Sequence, residues 1–484
     1  MDFTPPGRLK TAEAFAATLR SLAPHLDCPL VPAGADGPLA QPIDVYGRTI
    51  GNRFAVHPME GWDGTTNGLP TDHTLRRWRR FGESGAKLIW GGEAFAVQRD
   101  GRANANQLYL EPAADTAGGL HALRSALLEG HAAVGCSPDD LFIGLQLTHS
   151  GRFARPDGSA APLIAHRHPP LAEKYALSPD VEPLTDGALE AIGANFVRSA
   201  LLARSVGFDF VDVKCCHGYL LHEMLGCHER PGPYGGTFEN RTRLFRRIVE
   251  GIRTACPDLS IGVRVSIADT VPFVPGPEAR RGIPGVRDAH LPYRFGFGVD
   301  ASNPLEQDMS EPIRFLELLR DLGIRLVNIT FGSPYYNPHL QRPAAYPPSD
   351  GYMPPEDPLL GVVKHLDLVR VCKAAVPELA YVGSGYSYLQ EYLPHVAEAE
   401  VGGGHADFVG LGRMILSYPG LPRDVLAGRS LDRKLICRTF SDCTTAPRNG
   451  MISGCFPLDG YYGTMPQAVE LRTIKKRLRS ENTT

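Results

Sequence analysis

Several features that would mark a special class of protein are missing from this sequence of 484 residues. It has no apolar run of the ~18 residues that a membrane-spanning helix needs. Its net charge is only −3, so we expect no surface built for nucleic acid or for an anionic membrane. The first residues, MDFTPPGRLKTAEAF, lack a basic segment followed by an apolar core. We therefore expect no secretory signal and a cytoplasmic location.

Cysteine is too sparse to build the fold. Ten cysteines in 484 residues are not the density of a disulfide scaffold, and without an export signal we expect reduced thiols. A G-x-G-x-x-G turn after a predicted strand is also missing, which argues against a doubly wound dinucleotide-binding sheet. The remaining composition is that of an ordinary globular protein.

What the chain does contain is an alternation of short apolar runs with helical patterns. Eight runs resemble buried strands: Arg53–His57, Lys87–Trp90, Leu141–Leu147, Phe208–Val213, Ser260–Val265, Arg325–Ile329, Leu379–Val382 and Asp407–Leu411. Seven helical patterns lie between them: Thr74–Gly82, Ala114–Glu129, Thr185–Val206, Asn240–Cys256, Pro312–Asp321, Val362–Ala375 and Tyr388–Glu398. This order predicts an α/β protein with a (β/α)8 TIM barrel.

The regions outside this alternation divide the chain into three predicted parts. Residues 1–50 contain one helical patch, Thr11–Leu22, and are interpreted as an N-terminal extension packed on the barrel. Residues 51–429 are predicted to form the barrel itself. Residues 430–484 are predicted to form a C-terminal tail that carries cysteines and a basic helix, Pro466–Arg479.

Two connections between predicted strands are unusually long. Ile267–Ser310 and Phe331–Pro358 lack periodicity and are rich in Pro, Gly and aromatic residues. Long loops of this kind often cover a substrate, and their aromatic residues favour an ordered structure over disorder.

Proton-handling side chains cluster after the fourth predicted strand, where Lys214, His217 and Tyr219 follow one another closely. Active sites of parallel α/β proteins lie at the carboxyl ends of strands. Tyr219 can act as a general acid, and His217 and Lys214 can donate to a carbonyl oxygen or an oxyanion. Structural alternatives remain: a buried aromatic for Tyr219, a core histidine for His217, and a salt bridge from Lys214 to Glu223 or Glu239.

The same stretch resembles the flavin-dependent old yellow enzyme family. That family has a strand ending in His-x-x-His/Asn-Gly-Tyr and then Tyr-Gly-Gly-Ser-x-Glu-Asn-Arg. Lys214–Tyr219 and Tyr234–Arg241 are similar to these two motifs, with Lys214 in place of the first His. Further segments resemble the family in the family's order: Asn52–Met59, Gly85–Ala94, Gly144–Arg152, Gly262–Ser266, Gly383–Gly385, Phe408–Arg413 and Pro419–Pro422.

The resemblance implies a non-covalently bound FMN held at the strand ends. Its predicted binding residues are Pro58, Met59, Glu60, Gly92, Gln146, Arg264, Gly383, Ser384, Gly385, Gly412 and Arg413. In the family, the counterpart of Gln146 binds the pyrimidine edge of the flavin, and that of Arg264 approaches its N1–O2 edge. Glycines and the counterpart of Arg413 bind the phosphate. Glu60 stands where the family usually has Thr, Ser or Cys.

The implied activity is that of a ping-pong ene-reductase. NAD(P)H would reduce the flavin and leave, and a small-molecule substrate, an α,β-unsaturated carbonyl compound, would then be reduced. Lys214 and His217 would bind the carbonyl oxygen, and Tyr219 would protonate the α-carbon. The alternatives are a flavin dehydrogenase, desaturase or amine-oxidising relative, a TIM-barrel lyase using Lys214 as a Schiff base, and a non-catalytic barrel. The oligomeric state, including a homo-oligomer, stays open.

Three tail cysteines resemble part of an iron–sulfur site. Larger relatives of the 2,4-dienoyl-CoA reductase and trimethylamine dehydrogenase kind hold a [4Fe–4S] cluster through Cys-x2-Cys-x3-Cys-x11-Cys, and add C-terminal nucleotide-binding domains whose fingerprint is missing here. Cys443 and Cys455 keep the last spacing, but Cys437 is one residue too close and Phe440 replaces a cysteine. Four thiolates are the usual number. We therefore favour free or structural cysteines and no metal over a cluster at Cys437, Cys443 and Cys455.

Overall fold

A closed barrel of eight parallel strands forms the body of the computed structural model, which describes residues 3–110, 115–278 and 280–481. The strands are β1 Phe54–Val56, β2 Leu88–Ile89, β3 Phe142–Thr148, β4 Phe210–Val213, β5 Ser260–Ala268, β6 Leu326–Phe331, β7 Ala380–Gly383 and β8 Phe408–Leu411. Each pairs with the next in sequence, and β8 pairs with β1. The predicted (β/α)8 TIM barrel is confirmed.

Each of the first seven strands is followed by an outer helix in the described part of the chain. These helices are α1 Asp72–Gly82, α2 Thr116–Ala133, α3 Asp186–Val206, α4 Arg243–Ala255, α5 Ser310–Asp321, α6 Pro358–Ala375 and α7 Leu393–Gly402. Shorter helices in the barrel connections are Pro169–Lys174, Leu220–Leu225, Phe238–Arg241, Pro338–Gln341, Arg413–Ser417 and Leu421–Leu426. Thr185 shows why α3 begins where it does, because its side chain accepts a hydrogen bond from the backbone N–H of Ala188.

Two predicted helix starts need comment. Ala114, the predicted first residue of α2, lies outside the described residues. The predicted start of the last helix at Tyr388 is wrong, since residues Tyr386–Tyr392 form a 3-10 helix and α7 begins only at Leu393. The cause is Gln390, whose φ of 56° is incompatible with a continuous α-helix.

The N-terminal segment closes the amino end of the barrel. After the helix Ala12–Leu22, a hairpin of strands Ile43–Val45 and Arg48–Ile50 lies below the strands. The Tyr46 hydroxyl in its turn donates to the Ile261 carbonyl at 2.5 Å. Apolar hairpin side chains pack with inward-facing residues of the barrel strands. Because this end is filled, the carboxyl end of the barrel is the one left for a ligand.

Beyond the barrel, the tail forms helices Asp442–Arg448, Gly460–Gly463 and Pro466–Glu481, the last of which matches the predicted basic helix. The tail has a small apolar cluster of its own. It is joined to α1 by a salt bridge of 2.9 Å between Arg76 and Asp459.

Among all the described helices, none combines the length and apolar character that crossing a membrane requires.

The long loops after β5 and β6 pack over the mouth of the barrel. The first contains a hairpin of Phe273–Pro275 and Gly282–Pro284. The second brings Tyr335 into a stack on Phe153, with ring centroids 4.1 Å apart. The loop after β6 therefore forms part of one wall of the barrel mouth, and Tyr335 provides part of the packing.

Candidate active site

A large cavity, called the central cavity below, opens at the carboxyl ends of the barrel strands. Its volume is about 260 Å³. The predicted site residues that line it are Pro58, Met59, Glu60, Gln146, Lys214, His217, Tyr219, Arg264, Ser384, Gly385, Gly412 and Arg413. Gly92 and Gly383 do not line it. The Gly92 carbonyl accepts from the Met59 N–H at 3.3 Å, and a Cβ on Gly383 would lie 3.0 Å from the Tyr386 ring.

Tyr219 lies in a hydrogen-bonded group of three oxygen-bearing side chains. Its hydroxyl donates to Glu60 Oε2 at 2.6 Å and lies 2.6 Å from the Tyr335 hydroxyl. Burial, followed by the charge of Glu60, raises the pKa of Tyr219 well above its ordinary value. The phenol therefore keeps its proton at neutral pH. Sequence reasoning missed Tyr335 as a partner, and the only signal for it was its place in an aromatic loop.

Lys214 lies against the ring of Tyr219, with Nζ 3.9 Å from the ring centroid. Burial lowers the pKa of this amine from its ordinary value. The two salt bridges left open by the sequence do not form, because Glu223 accepts from Arg152 at 2.6 Å and Glu239 pairs with Arg314. Lys214 has no ion pair within the described part of the chain, so its charge is available to the central cavity.

His217 is held from both sides at a positive φ of 69°. Its N–H donates to Ser266 Oγ at 2.9 Å, and its carbonyl accepts from Ser333 Oγ at 2.7 Å. Its ring Nε2 lies 3.1 Å from the amide nitrogen of Gln341, a second residue that the sequence did not reveal. Burial, followed by the charges of Arg264 and Lys214, holds the pKa of His217 well below its ordinary value, so the ring is neutral.

Gln146 is oriented by a buried carboxylate inside the barrel. Asp212 Oδ2 accepts from Gln146 Nε2 at 2.6 Å and from Trp90 Nε1 at 2.7 Å, and Oδ1 accepts from the Arg264 N–H at 2.7 Å. Because the amide nitrogen of Gln146 is committed to Asp212, its carbonyl oxygen is the group left for a ligand. The position of Asp212 on a strand marks it as inward-facing, but no motif marks it as functional.

The buried carboxyl of Asp212 makes a testable prediction about pH. Burial raises its pKa from 3.8 to about 6, so the folded chain binds more protons than the unfolded chain between these values. The contribution of Asp212 to stability is therefore complete below pH 3.8 and is lost as pH rises through about 6. We expect the free energy of unfolding of the native chain to fall relative to Asp212→Asn across this window, by at most about 1.4 kcal/mol per pH unit. Urea unfolding of both proteins near the two ends of the window measures the effect, and a constant difference between them would contradict the raised pKa.

Two arginines meet at the other end of the central cavity. Arg413 donates through Nη2 to the Pro343 carbonyl at 2.8 Å, while its buried Nη1 has no hydrogen-bond partner. Arg342 also lines the cavity and has an unpartnered buried Nε. Burial, followed by the charge of Arg413, lowers the pKa of Arg342 to about 10. Gly385 and Gly412 lie on the same wall, so this end of the cavity suits an anion.

The hydroxyl of Ser384 is committed to the protein. It donates to the Ile329 carbonyl at 2.6 Å and lies 3.2 Å from His57 Nε2. The other ring nitrogen of His57 lies 3.1 Å from the amide nitrogen of Asn328. Ser384 is therefore left with its backbone for contact with a ligand.

A buried ionic network supports the turn that carries Glu60. The N–H of the next residue, Gly61, donates to Glu93. Arg77 binds both Glu93, at 2.7 Å, and Asp63, at 2.8 Å. Since all three charged side chains are buried, they fix the path of the turn after β1.

Part of this chain is similar to a known protein family. Residues 38–273 match the sequence pattern of the NADH:flavin oxidoreductase / NADH oxidase family. A curated relative, NADPH dehydrogenase from Geobacillus sp. (strain WCH70), is 30% identical over 243 residues, which cover 48% of this chain and 64% of the relative. The chain thus spans less than two thirds of that relative's length.

Two solved structures share the barrel architecture. A 2-naphthoyl-CoA reductase in complex with 2-naphthoyl-CoA has a TM-score of 0.63 and 18% identity, covering 88% of this chain and 57% of that chain. Morphinone reductase has a TM-score of 0.54 and 20% identity, covering 83% of this chain and 92% of that chain. At this level of identity they support the fold alone.

The side chains of the central cavity fit FMN, the flavin expected for an NADH:flavin oxidoreductase. Arg413 and Arg342 leave guanidinium nitrogens without partners at the end that suits a phosphate. At the other end, the Gln146 carbonyl oxygen and the buried Arg264, whose Nε also lacks a partner, suit the polar edge of the ring system. Arg264 Nη1 is 3.4 Å from the Pro58 carbonyl. The donor set matches a group with an anionic tail and a polar ring edge.

The three tail cysteines lie near one another. Cys437, Cys443 and Cys455 line a small pocket together with Phe440. Burial raises the pKa of Cys437 and of Cys455, which disfavours their thiolates. Among the residues that the structure describes, no group of three or more His, Cys, Asp or Glu side chains is arranged to hold a metal ion. All ten cysteines are free thiols, and their role stays a prediction.

Proposed function

We propose that the chain is an FMN-dependent NAD(P)H oxidoreductase that reduces the activated C=C bond of an α,β-unsaturated carbonyl compound. One observation carries this proposal. Lys214, His217 and Tyr219 converge in the same cavity as the side chains that fit FMN. The similarity of residues 38–273 to the NADH:flavin oxidoreductase / NADH oxidase family supports the cofactor and the use of a reduced nicotinamide.

When bound, FMN supplies the hydride-transfer chemistry. The chain supplies binding, orientation and proton transfer. Lys214 and His217 bind the carbonyl oxygen of the acceptor, and the Lys214 charge stabilises the negative charge that develops on that oxygen. The neutral His217 ring donates a hydrogen bond without adding a second cation beside Lys214.

Tyr219 completes the reaction by giving its phenolic proton to the α-carbon of the acceptor. Its raised pKa keeps it protonated until charge develops on the substrate. The aromatic wall around it, formed by Phe153 and Tyr335, excludes water from the reacting carbon. The nicotinamide and the acceptor use the same cavity in turn, which favours a ping-pong order.

Anaerobic half-reactions test the proposed function. NADH or NADPH should bleach the flavin absorption, and 2-cyclohexenone added afterwards should restore it with formation of the saturated ketone. Recovery with oxygen but with no member of a panel of enones, enals and unsaturated acids would contradict alkene reduction and favour a dehydrogenase or oxidase.

Replacing Lys214 by the family's usual residue tests its role in substrate choice. A lysine ammonium group binds an acceptor oxygen more as a point charge than a histidine does. We expect Lys214→His to move preference away from anionic acceptors by roughly 10-fold, equivalent to about 1.4 kcal/mol, with FMN still bound. Competition between an unsaturated acid and the matching ketone measures this ratio. An unchanged ratio would mean that Lys214 does not contact the acceptor.

A further inference from the structure

We propose that Glu60 and Tyr219 act together as a base, so that this site also removes and returns a proton at the carbon next to a carbonyl group. This activity is redox-neutral and exchanges the α-hydrogens of saturated ketones with solvent. It rests on the proposed function only for how the carbonyl compound binds. Its other elements are contacts within the chain.

The direction of the hydrogen bond between Tyr219 and Glu60 allows the Tyr219 oxygen to accept a proton. A phenol has a single proton, and Tyr219 donates it to Glu60 Oε2 at 2.6 Å. The oxygen of Tyr219 therefore presents lone pairs to its other neighbours and accepts from them. A Tyr219 that only donated protons to substrate would need that proton directed into the central cavity. With Glu60 as a carboxylate, the hydroxyl is arranged to receive a proton.

The reaction balances within the site. The α-C–H bond of the ketone breaks and its proton moves to the Tyr219 oxygen, while the proton already on Tyr219 moves to the Glu60 carboxylate. The electron pair of the broken bond becomes the enolate, whose oxygen is held by Lys214 and His217. Reversal of these steps returns a proton to the carbon, and no electrons leave the substrate.

Charge placement favours this transfer. Before it, Glu60 and Lys214 both contact Tyr219, Glu60 through the hydrogen bond of 2.6 Å and Lys214 with Nζ 3.9 Å from the ring centroid. After it, Glu60 is neutral and the negative charge lies on the enolate oxygen beside Lys214. Because the proton passes through Tyr219 to Glu60, no free phenolate has to form in a buried site that raises the pKa of Tyr219.

The same arrangement gives the proton a route to solvent. Glu60 and Tyr335 are only half-buried, whereas Tyr219 is buried. Tyr335 lies 2.6 Å from Tyr219, and Arg448 of the tail packs over its ring at 4.8 Å. A deuteron from D2O can therefore enter through Glu60 or Tyr335 and reach the substrate through Tyr219.

Deuterium incorporation into cyclohexanone tests the proposal, using the purified enzyme in D2O without NAD(P)H and following the α-hydrogens by NMR. We expect the enzyme to exchange them faster than buffer alone. Glu60→Gln and Tyr219→Phe should each slow the exchange by about 100-fold or more, the usual range for a general base. Glu60→Asp should recover part of the rate, because it restores a carboxylate. Glu239→Gln is the matched control, since Glu239 pairs with Arg314 and does not line the central cavity, and it should leave the rate unchanged.

The outcomes separate this inference from the proposed function. Exchange no faster than buffer, in an enzyme that reduces 2-cyclohexenone, overturns the inference alone. Loss of both reactions removes the proposed function as well. Exchange by Glu60→Gln at the native rate, with Tyr219→Phe inactive, would overturn the role of Glu60. Circular dichroism and FMN titration of each variant verify that the chain is folded.

Discussion

Tyr219→Phe is expected to slow the reoxidation of the reduced enzyme by an α,β-unsaturated ketone by about 10²- to 10⁴-fold. The phenylalanine keeps the ring that packs against Phe153 and Lys214 but removes the hydroxyl that hydrogen-bonds Glu60 and Tyr335. Reduction of the flavin by NAD(P)H needs no proton from Tyr219, so that half-reaction should stay within a few-fold of the native rate. Stopped-flow absorbance separates the two half-reactions.

Tyr335→Phe is the matched control for this substitution. It removes the neighbouring hydroxyl at 2.6 Å and leaves Tyr219 and Glu60 in place, so its effect on reoxidation should be much smaller. An equal loss in both half-reactions of Tyr219→Phe would mean that Tyr219 shapes the site and does not supply the proton.

Arg413→Ala should weaken FMN binding by roughly 30-fold or more. Removing one partner of a buried charged contact costs about 2–5 kcal/mol, and each 1.4 kcal/mol changes an affinity tenfold. Arg413 lines the end of the cavity that suits a phosphate, and its buried Nη1 has no hydrogen-bond partner. The loss should be larger for FMN than for riboflavin, because riboflavin has no phosphate. Quenching of flavin fluorescence measures both affinities.

Arg423→Ala is the control for charge removal in the same region. Arg423 donates to the Glu83 carbonyl at 2.9 Å and does not line the central cavity. It should leave FMN affinity unchanged. If Arg413→Ala weakened riboflavin and FMN equally, the arginine would act on the ring system or on folding, and the phosphate assignment would be wrong.

The barrel could be predicted because its signal is local and repeated. Each buried strand is a short apolar run, and each outer helix has its own periodicity and often its own cap, as Thr185 shows for α3. The start of α7 was missed because it depends on a single residue, Gln390, at a positive φ. The N-terminal hairpin was also missed, because its strands, Ile43–Val45 and Arg48–Ile50, are only three residues each.

Site residues could be predicted where a sequence motif places them at or near the end of a single strand. Lys214, His217, Tyr219, Gln146, Arg264 and Arg413 all line the central cavity. The missed residues come from places where a side-chain position depends on tertiary structure. Tyr335, Gln341 and Arg342 lie on the long loop after β6, whose path no periodicity fixes. Asp212 is hidden inside a strand.

Contacts between residues that are far apart in the chain could not be predicted from the sequence either. The motif that marks Glu60 as a neighbour of the flavin gives no sign of its hydrogen bond to Tyr219, since the two residues are 159 positions apart. Likewise, Gly92 and Gly383 match family positions but do not line the central cavity. Which of these residues contact one another or line the cavity becomes known only from the folded structure.

The absorption spectrum of the purified protein, followed by heat release of any chromophore, tests whether the chain binds FMN. We expect a structured flavin spectrum in the visible range and free FMN in the supernatant. Arg413→Ala should then release its FMN on dilution more readily than the native protein. A colourless protein that takes up no added FMN would contradict the proposed flavin chemistry.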